Sequence, residues 1–147
     1  MGVTISDLTK KSILGYPSCL SATDSVARIV SGVMKPSEIL SECIAHIEEY
    51  EMKVGAWSFI DKGRAIHEAS DLDKIKPEGP LFGIPFGVKD NIDTYDMPTA
   101  HGTSIYEGSQ SSRDAACVAG FRFSHALPLG KTVCTEFAHR APGKTGN

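Results

Sequence analysis

Residues 79–96 read GPLFGIPFGVKDNIDTYD, and the reading of this stretch decides the fold. Leu81 to Val88 is apolar without interruption by any charge, and it ends at Lys89. A short apolar run bounded by turn residues suits a buried strand, so the second half, ending at Lys89, is expected to be one. Asp90, Asn91 and Asp93 follow at once. Their short polar side chains bond nearby backbone and favour turns, and the chain stays turn-rich to Gln110.

Upstream, Thr23 to Val33 reads as a helix with Val26, Ile29, Val30 and Val33 on one side and Gly32 near its end. Lys35-Pro36-Ser37-Glu38 opens a longer helix, since proline suits the first helical position and an acid complements the dipole. Ile39, Cys43, Ile47 and Tyr50, with Leu40 and Ile44 beside them, give it an apolar stripe reaching Tyr50. Ala56 to Ile60 is expected as a strand, and Asp61 as the cap of a helix running to about Asp73 with Ala65, Ile66, Ala69 and Leu72 inward. Downstream, Ser112 can cap a helix through Ala115, Ala116, Val118 and Ala119, and Ala126 to Leu129 returns as a strand. Helices alternating with strands predict an α/β layer fold with a mixed or parallel sheet. Residues 1–20 are expected to be a loosely held arm, and 21–147 to form the domain.

The chain has 147 residues, enough for one domain with a core, and a net charge of −3, which disfavours nucleic acid as a partner. No 18-residue apolar run is present, so a membrane span is not expected. Met1-Gly2 followed by Ser6 fits the short myristoylation pattern, which is frequent by chance. Cys19, Cys43, Cys117 and Cys134 lie far apart with no C-x-x-C. Without an export signal they are expected to be reduced, mostly buried thiols of a cytosolic protein. Cys43 with His46, and Cys134 with His139, have no companion pair at metal-site spacing, so neither metal nor cofactor is expected.

Gly-Lys-Thr occurs at 130–132 and 143–145, and it is also the tail of the phosphate-binding P-loop. That loop needs a glycine five residues before the second glycine, so that backbone N–H groups can turn toward phosphate. His125 and Ala138 stand there instead, and Pro128 removes an N–H from the first copy. A nucleotide site is therefore rejected.

The stretch from Gly79, followed by Met97-Pro98-Thr99-Ala100-His101-Gly102-Thr103-Ser104, resembles the amidase signature family. The family's order G-P-L-x-G-I-P-x-x-V-K-D-N precedes a P-T-x-x-G-S turn. It continues with Asp114-Ala115, a helix, and L-G-K-T-x-x-x-E-F-A, here Leu129 to Ala138. The resemblance implies a mixed-sheet α/β/α fold, of which residues 21–147 are the N-terminal portion. It also implies cofactor-free hydrolysis of carboxamide C–N bonds by a serine nucleophile, a second serine in a cis peptide, and a lysine base, whose place Lys89 takes. An ammonium is no base. With a reference pKa of ~10.4, work near neutrality needs the neutral amine favoured by ~4 kcal/mol, and desolvation supplies such a preference. Ile84, Phe86 and Val88 are expected to carry Lys89 into an apolar interior. Asp90 and Asn91 are expected to fix backbone, and Glu136 and Phe137 to serve in packing or loop anchoring.

The family's two serines lie in a G-G-S-S-G-G-S segment after the E-F-A motif, and no such segment occurs in these 147 residues. Gly108 to Ser112 lacks the flanking glycines and reads as a turn and helix cap. The chain alone is therefore expected not to hydrolyse its small-molecule amide. Alternatives stay open: a non-catalytic complementing polypeptide, or an inactive truncation needing a partner. That partner is either a C-terminal amidase portion or a second copy joined through an exposed sheet edge. Three departures from the family pattern stand out. Phe82 replaces a usual histidine, Lys35 replaces a usual Ser or Thr cap, and His125 replaces a helix-ending glycine. Pro128 should also delete a ladder bond unless its strand lies at an edge.

Overall fold

The computed structural model describes residues 20–139, 143, 145 and 146. The expected arm over 1–20 (apart from Leu20), with the Met1-Gly2 pattern and Cys19, lies outside the described residues, as does Lys144 of the second Gly-Lys-Thr. Three strands, β1 (Trp57–Ile60), β2 (Pro85–Lys89) and β3 (Leu127–Thr132), form a mixed sheet in the order β1-β3-β2. β3 is central, antiparallel to β1 and parallel to β2. The long crossover from β2 to β3 carries a helix, as parallel pairing requires.

Among the described residues there are four α-helices, α1 (Ala22–Val30), α2 (Pro36–Val54), α3 (Lys62–Leu72) and α4 (Ala116–Phe123). On one face Leu40 and Ile44 of α2 and Ala65 and Ala69 of α3 meet Leu127 and Leu129 of β3. On the other, Val88 of β2 meets Met97 and Val118 of α4. Each large side chain so buried contributes about 1.5–3 kcal/mol. The α/β layering expected from the alternation of elements is present.

The helix α2 begins at Pro36 as expected, although Lys35 offers no side-chain acceptor. Glu38 accepts from the Lys35 N–H at 2.8 Å, and the Asp73 carboxylate accepts from the Ser37 N–H at 3.1 Å. A residue from the far end of α3 thus replaces the missing local cap. α2 runs a turn past Tyr50, to Val54, and stops where Gly55 adopts φ +60°. Its buried line is Ile39, Leu40 and Ile44, while Tyr50 is exposed. α1 is shorter than expected and buries Ile29, leaving Val30 and Val33 in solvent. Ile66 of α3 is likewise exposed.

Ser112 does not cap α4. The helix starts at Ala116 after Ala115, whose N–H is held by the Asp93 carbonyl, while Asp114 accepts from the Tyr95 N–H. These ties to the 93–95 loop hold the backbone extended up to Ala115. Ala116 and Ala119 point outward, and Cys117 is exposed, contrary to the expectation of burial. Cys134 is buried and Cys43 half-buried.

α4 ends with His125 at φ +58°. The His125 N–H bonds the Arg122 carbonyl and the Ala126 N–H bonds the Phe121 carbonyl, which is the paired closure normally made around a left-handed glycine. The His125 ring lies 5.5 Å from that of Phe82, so two departures from the family pattern touch each other. Pro128 sits in the central strand, not at an edge. It stands where the β2–β3 register slips between Phe86 and Gly87, and beyond the reach of β1, which pairs only Gly130 to Thr132. The bulge accommodates the missing donor.

Candidate active site

Lys89 closes β2 opposite Thr132, and its carbonyl accepts from the Ile92 N–H at 2.9 Å. Its side chain is exposed, while Val88 before it is 3% exposed. The expectation that Ile84, Phe86 and Val88 bury the amine is overturned. Side chains alternate along a strand, so these three share the face that Lys89 does not. Lys89 shares its face with Pro85 and Gly87, and a Cβ on Gly87 would lie 2.8 Å from the Thr132 methyl and 3.1 Å from the Trp57 ring.

Asp90 is 3% exposed and fastens the end of β2 to the turn that follows. Its N–H donates to the Thr132 carbonyl, and its carbonyl accepts from the His101 N–H, each at 2.9 Å. Its carboxylate accepts from the N–H groups of Ala100 at 3.0 Å and Gly102 at 3.3 Å. Asn91, in contrast, has a buried Oδ1 with no hydrogen-bond partner among the described residues. Backbone fixing falls to Asp90 rather than to both.

Glu136 accepts from the Thr103 hydroxyl at 3.0 Å, and the Phe137 N–H donates to the His101 carbonyl. A Cβ on Gly102 would collide with the Cys134 carbonyl. Three sequence segments, around residues 90, 101 and 136, therefore converge beside Lys89. The Gly108–Ser112 stretch turns as expected, with Ser109 accepting from the Thr99 N–H.

The buried lysine is Lys131, at 0% exposure. Its Nζ donates to the Ile92 carbonyl at 2.6 Å and the Thr99 hydroxyl at 2.7 Å, with the Thr94 hydroxyl at 3.5 Å. Burial pushes its pKa down, against the raising effect of Asp90, Asp93, Asp96 and Asp114. Its hydrogens point at acceptors, so it serves as a donor post for the 92–99 loop and not as a base. The signal for it was present in the sequence: Gly-Lys-Thr lies at the end of the apolar run from Ala126. Gly130 has a steric reason of its own, because a Cβ there would strike the Phe59 carbonyl of β1.

A second polar cluster has no signature in the sequence. Arg122 donates to both oxygens of Asp96 at 2.6 and 2.7 Å and pairs with Asp114 at 3.0 Å. Arg64 pairs with Asp96 at 3.1 Å and donates to the Pro128 carbonyl at 2.8 Å. Residues 64, 96, 114 and 122 are too scattered for any local pattern to join them.

The family model "Amidase" matches residues 38–145, and the chain belongs to that family. A glutamyl-tRNA(Gln) amidotransferase subunit of Macrococcus caseolyticus is 32% identical over 116 residues, covering 78% of this chain and 24% of that protein. The same subunit of Streptomyces coelicolor is 32% identical over 138 residues, covering 87% and 28%. Among solved structures, the peptide amidase of Stenotrophomonas maltophilia superimposes with a TM-score of 0.74 at 27% identity, over 80% of this chain and 25% of its own. An amidase family protein of Bacillus anthracis gives 0.74 at 26% identity, over 92% and 28%. The chain spans about a quarter of the length of the relatives it matches.

Proposed function

We propose that this polypeptide is the lysine-bearing portion of an amide hydrolase, with Lys89 at the position of the base. The observation that carries the reading is the anchoring of Lys89. The strand end that holds it is tied by Asp90 to β3 and to the 100–102 turn, so the amine is presented from rigid backbone. In the completed site a serine hydroxyl passes its proton toward the lysine amine, by way of the second serine, as it attacks the carboxamide carbon. The segment that bears those serines does not occur in these 147 residues, so these residues by themselves are expected not to turn over an amide. Relatives named as a peptide amidase and as part of an amidotransferase support carboxamides as the substrate class. The free thiols of Cys43, Cys117 and Cys134 fit a reducing, cytosolic setting.

The exposure of Lys89 favours a second reading, a complementing polypeptide that acts only through another chain. One experiment addresses both. The purified chain, alone and mixed with a C-terminal amidase portion, is assayed for ammonia release from a panel of carboxamides. Activity is expected only in the mixture, and is lost with Lys89→Met. A mixture equally active with Lys89→Met would sink the base assignment, and a complex without activity would leave only the complementing role.

A further inference from the structure

Arg122 is the only charged residue of α4 (ACVAGFRF), and it is turned inward to Asp96 and Asp114. Val118, the one buried residue of the helix, packs with Val88 and Met97. At 3.6 residues per turn, Ala116, Ala119, Gly120 and Phe123 fall on the opposite line of α4. All four are exposed, Phe123 at 89%. A Cβ added at Gly120 would meet nothing within 4 Å, so the middle of this line is open. A solvent-facing helix ordinarily presents polar side chains on its outer line. An apolar one ending in an aromatic ring is the kind of surface that a partner covers.

The two ends of this line carry opposite charges. Arg113 lies exposed just ahead of the helix. At the far end, Glu78 lines a groove of about 530 Å³ together with Gly79, Pro80, Phe123, Ser124 and His125. Neither the Arg113 nor the Glu78 side chain has a hydrogen bond or ion pair among the described residues. An apolar line with a positive and a negative end is complementary to itself turned through a two-fold axis, which sets each end against the other. The net charge of −3 opposes an anionic lipid surface as the covering.

We propose that the outer line of α4 is an interface between two copies of this chain, packed antiparallel about a two-fold axis between Ala119 and Gly120. Phe123 of each copy then lies over Ala116 of the other, and the absence of a side chain at Gly120 lets the helices approach closely. Arg113 of each copy reaches the groove beside Phe123 of the other and pairs there with Glu78. The contact thus covers both exposed phenylalanine rings and forms two ion pairs by symmetry. It is a small one. An eight-residue helix is about 12 Å long, so the interface falls at the low end of the specific range, with a Kd on the order of 10 to 100 µM. The line points away from the sheet, because Val118 on the opposite side packs against β2. The dimer therefore leaves Lys89 open, and the inference stands independently of the amide-hydrolase reading.

The test is sedimentation velocity of the full chain from about 1 to about 300 µM, a range that brackets the expected Kd. A monomer–dimer equilibrium is expected. Phe123→Glu should leave the chain monomeric throughout, with unchanged circular dichroism, because the ring it removes is solvent-exposed. If Phe123→Glu fails to fold, Ala119→Glu at an exposed position of the same line takes its place. Arg113→Glu and Glu78→Arg should each weaken the dimer about tenfold, since each breaks two ion pairs, and the two together should restore it to within about threefold. A chain that stays monomeric at the highest concentration overturns the proposal, as does a dimer indifferent to Phe123→Glu. A dimer lost with Phe123→Glu but not restored by the double reversal overturns the antiparallel arrangement. A monomer that pellets with phosphatidylglycerol vesicles through Phe123 assigns the line to a lipid surface instead. None of these outcomes bears on Lys89, which the ammonia-release assay tests separately.

Discussion

Two lysines stand side by side on neighbouring strands, one residue from direct opposition, and their surroundings are opposite. Lys131 lies in β3, strands flank it on both sides, and oxygens of the 92–99 loop receive its hydrogens. Lys89 closes β2 at the rim of the sheet, exposed, with no hydrogen bond or ion pair from its Nζ among the described residues. The central strand uses its lysine as a structural donor, whereas the edge strand holds its lysine free. A reactive amine must be reachable, and a lysine at 0% exposure whose hydrogens are directed at fixed acceptors is not.

The contrast breaks most sharply at Lys131. Lys131→Met leaves the Ile92 carbonyl and the Thr99 hydroxyl buried without a donor and is expected to cost about 3 kcal/mol, a drop of roughly 10 °C in Tm, read by urea and thermal unfolding. A loss below about 1 kcal/mol would show that the post is dispensable. The wild type should also gain stability as pH rises. Burial lowers the Lys131 pKa, so between that value and the unfolded chain's ~10.4 the unfolded state holds the extra proton. The gain is complete above ~10.4, and Lys131→Met removes it; parallel pH curves for the two proteins would refute the assignment.

Asp90→Asn comes next. It weakens two bonds from backbone N–H groups to a buried carboxylate and should cost about 2 kcal/mol, whereas Asn91→Ala, which loses no observed bond from Oδ1, should cost about 0.5 kcal/mol or less in the same denaturation assay. A smaller effect of opposite sign is expected at His125. Glycine relieves the left-handed strain but gives up the contact with Phe82, so His125→Gly should stabilise by up to about 1 kcal/mol. The smallest is Lys89→Met, within about 0.5 kcal/mol of wild type in stability, because an exposed end-of-strand side chain holds nothing together. A large loss there would erase the distinction between the two lysines.

Much of the fold was legible beforehand because its signals are local. Pro36 and Glu38 marked the start of α2, Asp61 capped α3 by accepting from the Arg64 N–H, and the run before Lys89 became β2. The family resemblance, not a local signal, marks His125 as an L-residue in a glycine position, and its backbone is left-handed at φ +58°. The errors share one cause. Ser112 was a competent cap, but ties from residues 93–95 hold its neighbourhood extended. Pro128 argued for an edge strand, yet the chain placed it at a bulge in the central one. The cap of α2 by Asp73 joins residues 36 apart. The Arg64–Asp96–Arg122–Asp114 cluster gathers four charges that no spacing connects.

By itself the sequence determined which segments form helices and strands, though not all their ends, that a lysine ends a strand beside a tight turn, and that Gly-Lys-Thr is no phosphate loop. Periodicity, caps and missing glycines act within a few residues, so they can be read without coordinates. Only the tertiary structure decided which lysine is buried and which is free. Burial depends on which strand becomes central and which face each residue takes, and those follow from strand order, a property of the whole sheet.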